Sequence, residues 1–440
     1  MEEILQILED YTPEQSAESI EAVEQFNPET HKVMSRVYRP NKTVYKPVLD
    51  ISGEPMLDSD GNQITRAATI EVSRVPVSMQ KTIVDLRKFF MNLRGSVLAS
   101  DNDDSLLLTA VQNVRKKNKY AFKIEEIAER TMSELQSAEM WWINPNNEIK
   151  MRVLSPEKGD LLLPIFDDFG DMKYFLRTYT IGEDTFTDIF TDTENYTFDE
   201  NGNLVQQWSN AWGKIPIIYY SQPLPEWHEV QDIIERYETI LSNLADNNDY
   251  TGNPITVVKG QINGFAAKEE SGKVLMLEPD ADVNYLTHDN APASVKLEID
   301  ELRRLMYSMS HTPDITIEAL KNAGGSGTAF DRLFIDPQLA AEAKLTGVFG
   351  ESMQRSVNLV SAMCRSIDSS LPNDFIEVET KAFRFDDIDD FVKNMVLLKG
   401  VLSNETITKL MAGKFGINEG EEWERVRTES GVASIEMLEE

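Results

Sequence analysis

Between Pro225 and Asn247 the apolar residues Val230, Ile234, Tyr237, Leu241 and Leu244 step by four, three, four and three. That rhythm predicts a straight helix with one apolar stripe, about 35 Å long at 1.5 Å per residue. Val295, Ile299, Leu302, Met306 and Met309 repeat it and predict a second helix over Ala293–His311. Between the two, residues 248–292 read as a small β module with strands near Ile255–Val258, Val274–Leu277 and Val283–Thr287. Thr312-Pro313-Asp314 then ends the second helix, because proline cannot extend it and biases its predecessor away from helical geometry. A Gly-rich loop follows (Ala323-Gly324-Gly325-Ser326-Gly327). After it come a long helical stretch to about Ile367, interrupted at Asp336-Pro337, a strand over Ile376–Phe385, and helices over Phe391–Gly400 and Asn404–Ala412 before an acidic tail.

The N-terminal half mixes periods. Ile4, Leu5, Ile7 and Leu8, then Ile20 and Val23, fall at helical spacing within residues 1–30, which carry nine acids and no Lys or Arg. One or two acidic, loosely attached amphipathic helices are expected there. Residues 43–77 hold two β-rich runs around Ser59-Asp60-Gly61-Asn62, which predicts a hairpin. Helical spacing returns over Val77–Leu93 and Ile124–Met140, flanking a basic stretch, Arg115-Lys116-Lys117-Asn118-Lys119. From 148 to 220 the period is mostly two (Ile149/Met151/Val153, Leu161–Ile165, Tyr174–Tyr179, Ile215–Tyr220). The fold class is therefore α+β.

Charge narrows the function. The 440 residues carry 75 Asp and Glu against 43 Lys and Arg, a formal net charge of −32. Tight grip on DNA or RNA comes from cations neutralising phosphates, so such a chain is a poor nucleic-acid clamp and a poor ligand for an anionic membrane surface. A hydrophobic content of 41% is ample for real cores, and the length suggests about three lobes or one elaborated fold. The single cysteine, Cys364, follows Met363 in an apolar stretch and reads as a small buried hydrophobe in a protein that folds in a reducing cytoplasm. Neither a secretion signal nor an 18-residue apolar run is expected from the pattern.

Motifs for chemistry fail one by one. Asp58-Ser-Asp60-Gly-Asn62 and Asp199-Glu-Asn201-Gly-Asn203 begin like calcium loops, yet the sixth positions are Gln63 and Leu204 and the twelfth Thr69 and Asn210. Hairpin turns explain both better. His31, His228, His288 and His311 are scattered without metal-ligand spacing. Gly324-Gly325-Ser326-Gly327 lacks the Lys-Ser/Thr of a phosphate loop. Asp386-Asp387-Ile388-Asp389-Asp390 reads as a solvated acidic start to the next helix, since carboxylates are favourable at helix N-termini. Trp141-Trp142 and Trp227 read as core or interface anchors. No catalytic residue, metal or cofactor is expected.

The order of elements, two amphipathic helices around a β module and then a Gly-rich loop and a long helix, resembles portal proteins of tailed bacteriophages, the connectors of long-tailed phages. The likeness is carried by Trp212-Gly213-Lys214-Ile215-Pro216-Ile217, Trp227, Val230, Ile233-Ile234-Glu235, Ser242-Asn243-Leu244-Ala245-Asp246, Asn248-Asp249-Tyr250 and Pro254. Further on it continues in Ser294-Val295-Lys296-Leu297-Glu298, Thr312-Pro313-Asp314, Gly325-Ser326-Gly327-Thr328-Ala329 and Gly400-Val401-Leu402-Ser403-Asn404-Glu405-Thr406. Asn210 stands where a histidine is common in that family, and the C-terminal part is short and acidic.

The resemblance implies a ring-forming, non-enzymatic virion protein, usually a dodecamer, made in the host cytoplasm. It would sit at one capsid vertex as the conduit for packaging and ejecting double-stranded DNA, without tight binding and without a membrane partner. Residues 1–224 would be the wing, 225–247 and 293–311 the stem helices, 248–292 the clip, 312–327 the tunnel loop, 328–385 the rest of the wing and 386–440 a short crown. Asp314, Glu318, Lys321, Asn322, Gly324, Gly325, Ser326 and Gly327 would face DNA, and Lys259, Gln261, Asn263, Lys268, Glu269, Glu270 and Lys273 would meet the terminase large subunit or the head-completion adaptor. Major capsid or scaffolding protein is a further implied partner. Charges on the two helices (Glu226, Glu229, Asp232, Glu235; Glu298, Asp300, Glu301, Arg303, Arg304) have the channel wall or bulk water as destinations. Two other readings stay open: an acidic multidomain hydrolase with an Asp/Glu pair, and another structural protein of the phage head or adaptor.

Overall fold

The computed structural model describes residues 2–51, 55–102, 105–251, 255–259, 262–264, 276–277, 282–286, 292–314, 327–384, 388–399 and 401–439. Contacts divide the chain into two units, one of residues 1–314 and 336–383 and one of residues 315–335 and 384–440.

The acidic N-terminus is docked, against the expectation of loose attachment. Helices α1 (Glu2–Asp10) and α2 (Ala17–Phe26) keep their acids outside. Ile4 and Ile7 are buried against Tyr174, Leu176, Ile189, Tyr196 and Phe198, worth about 4 kcal/mol for two such side chains. Ser19 Oγ donates to the carbonyl of Glu134 at 2.7 Å. Spacing, not net charge, decides attachment, because the apolar and acidic positions lie on different faces.

Strands β1 (Lys42–Pro47) and β2 (Thr65–Ile70) pair antiparallel as an arm. Helix α3 (Met79–Met91), strand β3 (Val97–Ser100) and helix α4 (Leu106–Lys117) follow. The sequence pattern gives α4 no bounds, but the basic stretch reads as a helix end, and Arg115–Lys117 is the last turn of α4; the Arg115 guanidinium lies 3.9 Å from the Tyr120 ring centroid. Helix α5 (Tyr120–Glu134) stops short of the expected Met140 because Leu135 turns left-handed at φ 67°. The chain then becomes strand β4 (Gln136–Ile143), the centre of a three-stranded sheet between β5 (Ile149–Leu154) and β11 (Ile217–Ser221).

Strands β6 (Leu161–Phe166), β7 (Met172–Ile181), β8 (Asp184–Phe190), β9 (Glu194–Asp199) and β10 (Leu204–Ser209) form an antiparallel meander in that order. The two calcium-like segments are turns. Asp58 Oδ1 accepts the N–H groups of Asp60 and Asn62, and Asp199 Oδ1 those of Asn201 and Asn203. Gly61 and Gly202 supply the left-handed residue at φ 84° and 76°. Asn210 closes the next turn, its amide donating to the carbonyls of Thr191 and Lys214 at 3.0 and 2.5 Å.

Helix α6 (Gln231–Thr251) starts six residues after the expected Pro225 and ends four after Asn247, and helix α7 (Pro292–Met309) matches the second predicted helix within two residues at each end. The long helix breaks elsewhere than expected. Helix α8 (Gly327–Lys344) runs through Pro337, and the disruption falls at Leu345–Phe349, where Gly347 leaves helical geometry at φ −92°, ψ −116°. Helix α9 (Gly350–Ile367) buries Cys364, whose thiol burial pushes up to about 11. The strand expected over Ile376–Phe385 is confined to Ile376–Glu379 (β16), which pairs with β3.

In the second unit, helices α10 (Ile388–Leu398), α11 (Asn404–Phe415) and α12 (Glu419–Glu439) follow one another. The acidic tail is thus helical. Asp386 and Asp387 lie outside the described residues, and the helix expected to start near Phe391 starts at Ile388.

Burial raises the Glu134 carboxyl from 4.5 to about 7, against the opposing pull of Arg130 at 3.1 Å. An unfolded chain ionises this group from about pH 4.5 and the folded chain only from about pH 7, so the fold loses stability as pH rises between them. The deficit reaches about 3 kcal/mol and is constant above that window. Glu134→Gln should therefore lose less melting temperature than the native chain between pH 4.5 and 8, as thermal denaturation at each pH would show.

Candidate functional site

Helix α6 exposes a logic that the apolar stripe hid. Its most buried face carries Ile234 together with the polar Glu238 and Ser242, at 1% and 0% exposure. Glu238 Oε1 accepts the N–H of Val77 at 2.8 Å, Ser242 Oγ that of Val75 at 3.0 Å, and Asp246 Oδ1 that of Ser73 at 2.7 Å. Four helical residues rise about 6.0 Å and two extended residues about 6.6 Å, so acceptors at i, i+4 and i+8 meet alternate N–H groups of an extended segment running the other way. Pro76 costs nothing here, because its place in the alternation faces away from α6. The helix face thus serves residues 73–77 as a neighbouring strand would.

More side chains tighten this strap. His31 Nδ1 lies 2.6 Å from Glu238 Oε1, and His31 Nε2 lies 2.8 Å from the Gln25 carbonyl. Arg39 reaches Asp246 and Asn243, each at 2.8 Å, and Lys32 reaches Glu235 at 2.9 Å. Trp227, fully buried, stacks on Phe26 and donates to Gln25 Oε1, which makes it a core anchor.

Helices α6 and α7 form an antiparallel pair. Arg236 and Glu298 bridge them at 2.8 Å. At their base Glu226, expected on the channel wall or in water, is instead buried, with Arg87 at 3.3 Å and Lys344 at 2.6 Å. Arg87 also donates to the carbonyl of Ser310, which follows α7, so one guanidinium ties the end of α7 to the start of α6. The chain leaves this node through His311, left-handed at φ 51°, and buried Thr312. Between the helices, Ile255–Lys259 (β12) pairs with Asp282–Leu286 (β15), and Ile262–Gly264 (β13) with Met276–Leu277 (β14). Among its described residues the module has a fourth strand, β13, beyond the three expected.

Of the residues expected to face DNA, Asp314 lies 3.7 Å from Arg303 and Gly327 opens α8. Glu318, Lys321, Asn322, Gly324, Gly325 and Ser326 lie outside the described residues. In the β module, Lys259 ends β12 and Asn263 is central in β13, whereas Gln261, Lys268, Glu269, Glu270 and Lys273 lie outside the described residues. Sequence reasoning missed Glu238, Ser242 and Asp246; their spacing of four was the available signal. No helix among the described residues is long and apolar enough to cross a membrane.

A family model described as phage portal protein, SPP1 Gp6-like, matches residues 31–430. The chain belongs to that family. No curated protein matches this portal-family chain. Solved structures similar to it include a chain in the neck of an empty gene transfer agent particle computed with C6 symmetry, at 14% identity and TM-score 0.38, covering 78% of this chain and 90% of that one. Another is in the virion of the native particle, at 12% identity and TM-score 0.37, covering 77% and 89%. A third is in the native neck computed with C12 symmetry, at 15% identity and TM-score 0.37, covering 76% and 92%.

Proposed function

We propose that this portal-family chain assembles head to tail into a closed ring, a dodecamer, at one vertex of a capsid, and that DNA is packaged and ejected through its centre. The α6–α7 pair carries this reading: an antiparallel hairpin, tied at its base by Arg87 and bracketing a small β module, is a rigid strut whose outer faces need neighbours. Residues 225–311 are the stem and clip, 312–327 the loop toward DNA, the parts before and after them the wing, and 386–440 a short crown. The clip meets a separate terminase, which drives the DNA, and later the adaptor. The wing meets capsid or scaffolding protein.

Charge gives the mechanism. A channel of about 35 Å faces on the order of 20 phosphates of a duplex. A cationic wall would hold the polymer through many contacts, whereas a chain of net charge −32 repels it and leaves it free to slide. Negative-stain images of the purified chain test the proposal. Rings with a central hole are expected, and copurification with a terminase large subunit would separate a portal from an adaptor ring. A compact monomer without a hole would overturn the reading and favour the hydrolase.

A further inference from the structure

The arm formed by β1 and β2 has no cover within the described part of its own chain. Its six residue pairs run from Lys42↔Ile70 to Pro47↔Thr65, and every residue of both strands is exposed except the half-buried Val44 and Ala68. Tyr45 is 71% exposed, and Leu49, Ile51, Met56 and Leu57 near the tip are exposed as well. A two-stranded hairpin is marginal alone in water, yet this one is held at both ends. At its base Lys42 and Arg39 pair with Asp246 of α6, and Arg74 donates to the Arg39 carbonyl and to Asn41. At its tip the N–H groups of Val48, Ile64 and Met56 donate in a closed cycle to the carbonyls of Ile64, Met56 and Val48, each at 2.8 Å. The arm is a built projection.

One face shows what it lacks. Lys46 stands directly opposite Arg66, with Lys42 on the same face and no acid among the six residues there. Like charges directly opposite destabilise a ladder. Neither Lys46 nor Arg66 has an ion-pair partner among the described residues, and both line a concavity of about 470 Å³. A face that gathers cations in a chain of net charge −32 is complementary to the rest of that same chain.

We propose that this face of the arm docks on a second copy of the chain, taking carboxylates of the neighbour between Lys46 and Arg66, with Ile70, exposed on the same face, and the tip residues supplying apolar contact. The proposal rests on the ring reading and adds the surface by which neighbours clasp. One arm face about 20 Å long and about 10 Å across offers on the order of 200 Å², about a quarter of what each partner gives a stable interface, so the arm supplements the other ring contacts.

The test compares the full chain with Lys46→Glu combined with Arg66→Glu, two exposed positions whose exchange should leave the melting temperature unchanged. Mass photometry across a concentration series should show the variant needing at least tenfold more protein to assemble, and the native chain weakening in the same direction at raised salt. Ile70→Ala, on the docking face, should give a smaller shift of the same sign. If the native chain forms rings and the charge-reversed variant forms them at the same concentration, the arm assignment falls while the ring stands, whether or not the variant loses retention of DNA. A native chain that stays monomeric at every concentration overturns both.

Discussion

Glu139→Ala is expected to leave the chain largely insoluble or unfolded at 37 °C. Glu139 lies in the central strand β4 with no exposure, and its two oxygens accept four hydrogen bonds from four separate side chains. Oε1 takes the hydroxyls of Tyr120 at 2.9 Å and Tyr220 at 2.6 Å; Oε2 takes Trp141 Nε1 at 2.8 Å and Ser356 Oγ at 2.5 Å. These donors come from α5, β11, β4 and α9, so one carboxylate joins the three-stranded sheet to the helices on it. Burial first, and the neighbouring Glu139 charge second, push the Tyr120 and Tyr220 hydroxyls upward, which keeps them protonated and donating. Alanine would orphan four buried donors at about 1–3 kcal/mol each, a loss on the scale of the 5–15 kcal/mol that holds a typical domain together. Glu139→Gln keeps one acceptor oxygen and should lie between alanine and the native chain. Soluble yield and urea denaturation would rank the three, and equal midpoints for alanine and the native chain would refute this account.

Arg177→Met should cost about 3–5 kcal/mol, the usual penalty for removing one partner of a buried charge cluster. Arg177 is 4% exposed, and Nε donates to Asp160 Oδ1 at 2.8 Å while Nη1 reaches Asp188 Oδ2 at 3.3 Å. Its guanidinium also lies 3.9 Å from the centroid of the Tyr179 ring. Burial already holds the Asp188 carboxyl above its ordinary value of 3.8, with Thr197 and Arg177 opposing that rise. Without the cation the rise is larger. A carboxyl raised in the folded state is protonated there while the unfolded chain ionises, so the variant's deficit should grow as pH rises from about 4 to 8. Denaturation midpoints of variant and native chain at pH 4 and pH 8 measure this; a difference independent of pH would count against the cluster as described.

The α6–α7 pair was legible because helical periodicity is local: residues three and four apart share a face whatever the rest of the chain does. The same holds for the strands of 148–220 and for α1, whose spacing outweighed its charge. The β module and its place between the helices were legible too, although β13 was not. The break at Leu345–Phe349 was misplaced at Pro337, since the sequence marks where a helix is weakest but not where packing lets it deform. Helix α5 ended before Met140 for a similar reason, because β4 gains two strand neighbours by becoming extended.

What the sequence by itself determined is the set of elements, their order and the acidic balance, together with the resemblance that their order carries. Tertiary structure decided which charged and polar residues are inside. Glu226 and Glu238, which are buried, and Asp246, which is half-buried, look like three more acids on a solvated helix, and only the spacing of four from Glu238 through Ser242 to Asp246 says otherwise. Their partners lie far along the chain: Val77 is 161 positions from Glu238 and Ser73 is 173 from Asp246. A buried carboxylate is tolerable only where donors converge on it, and that convergence exists only after folding brings distant backbone and side chains to one face of α6 and to Glu226 at its base. Conversely, Lys46 and Arg66 look like ordinary surface cations until the register of the arm sets them opposite each other.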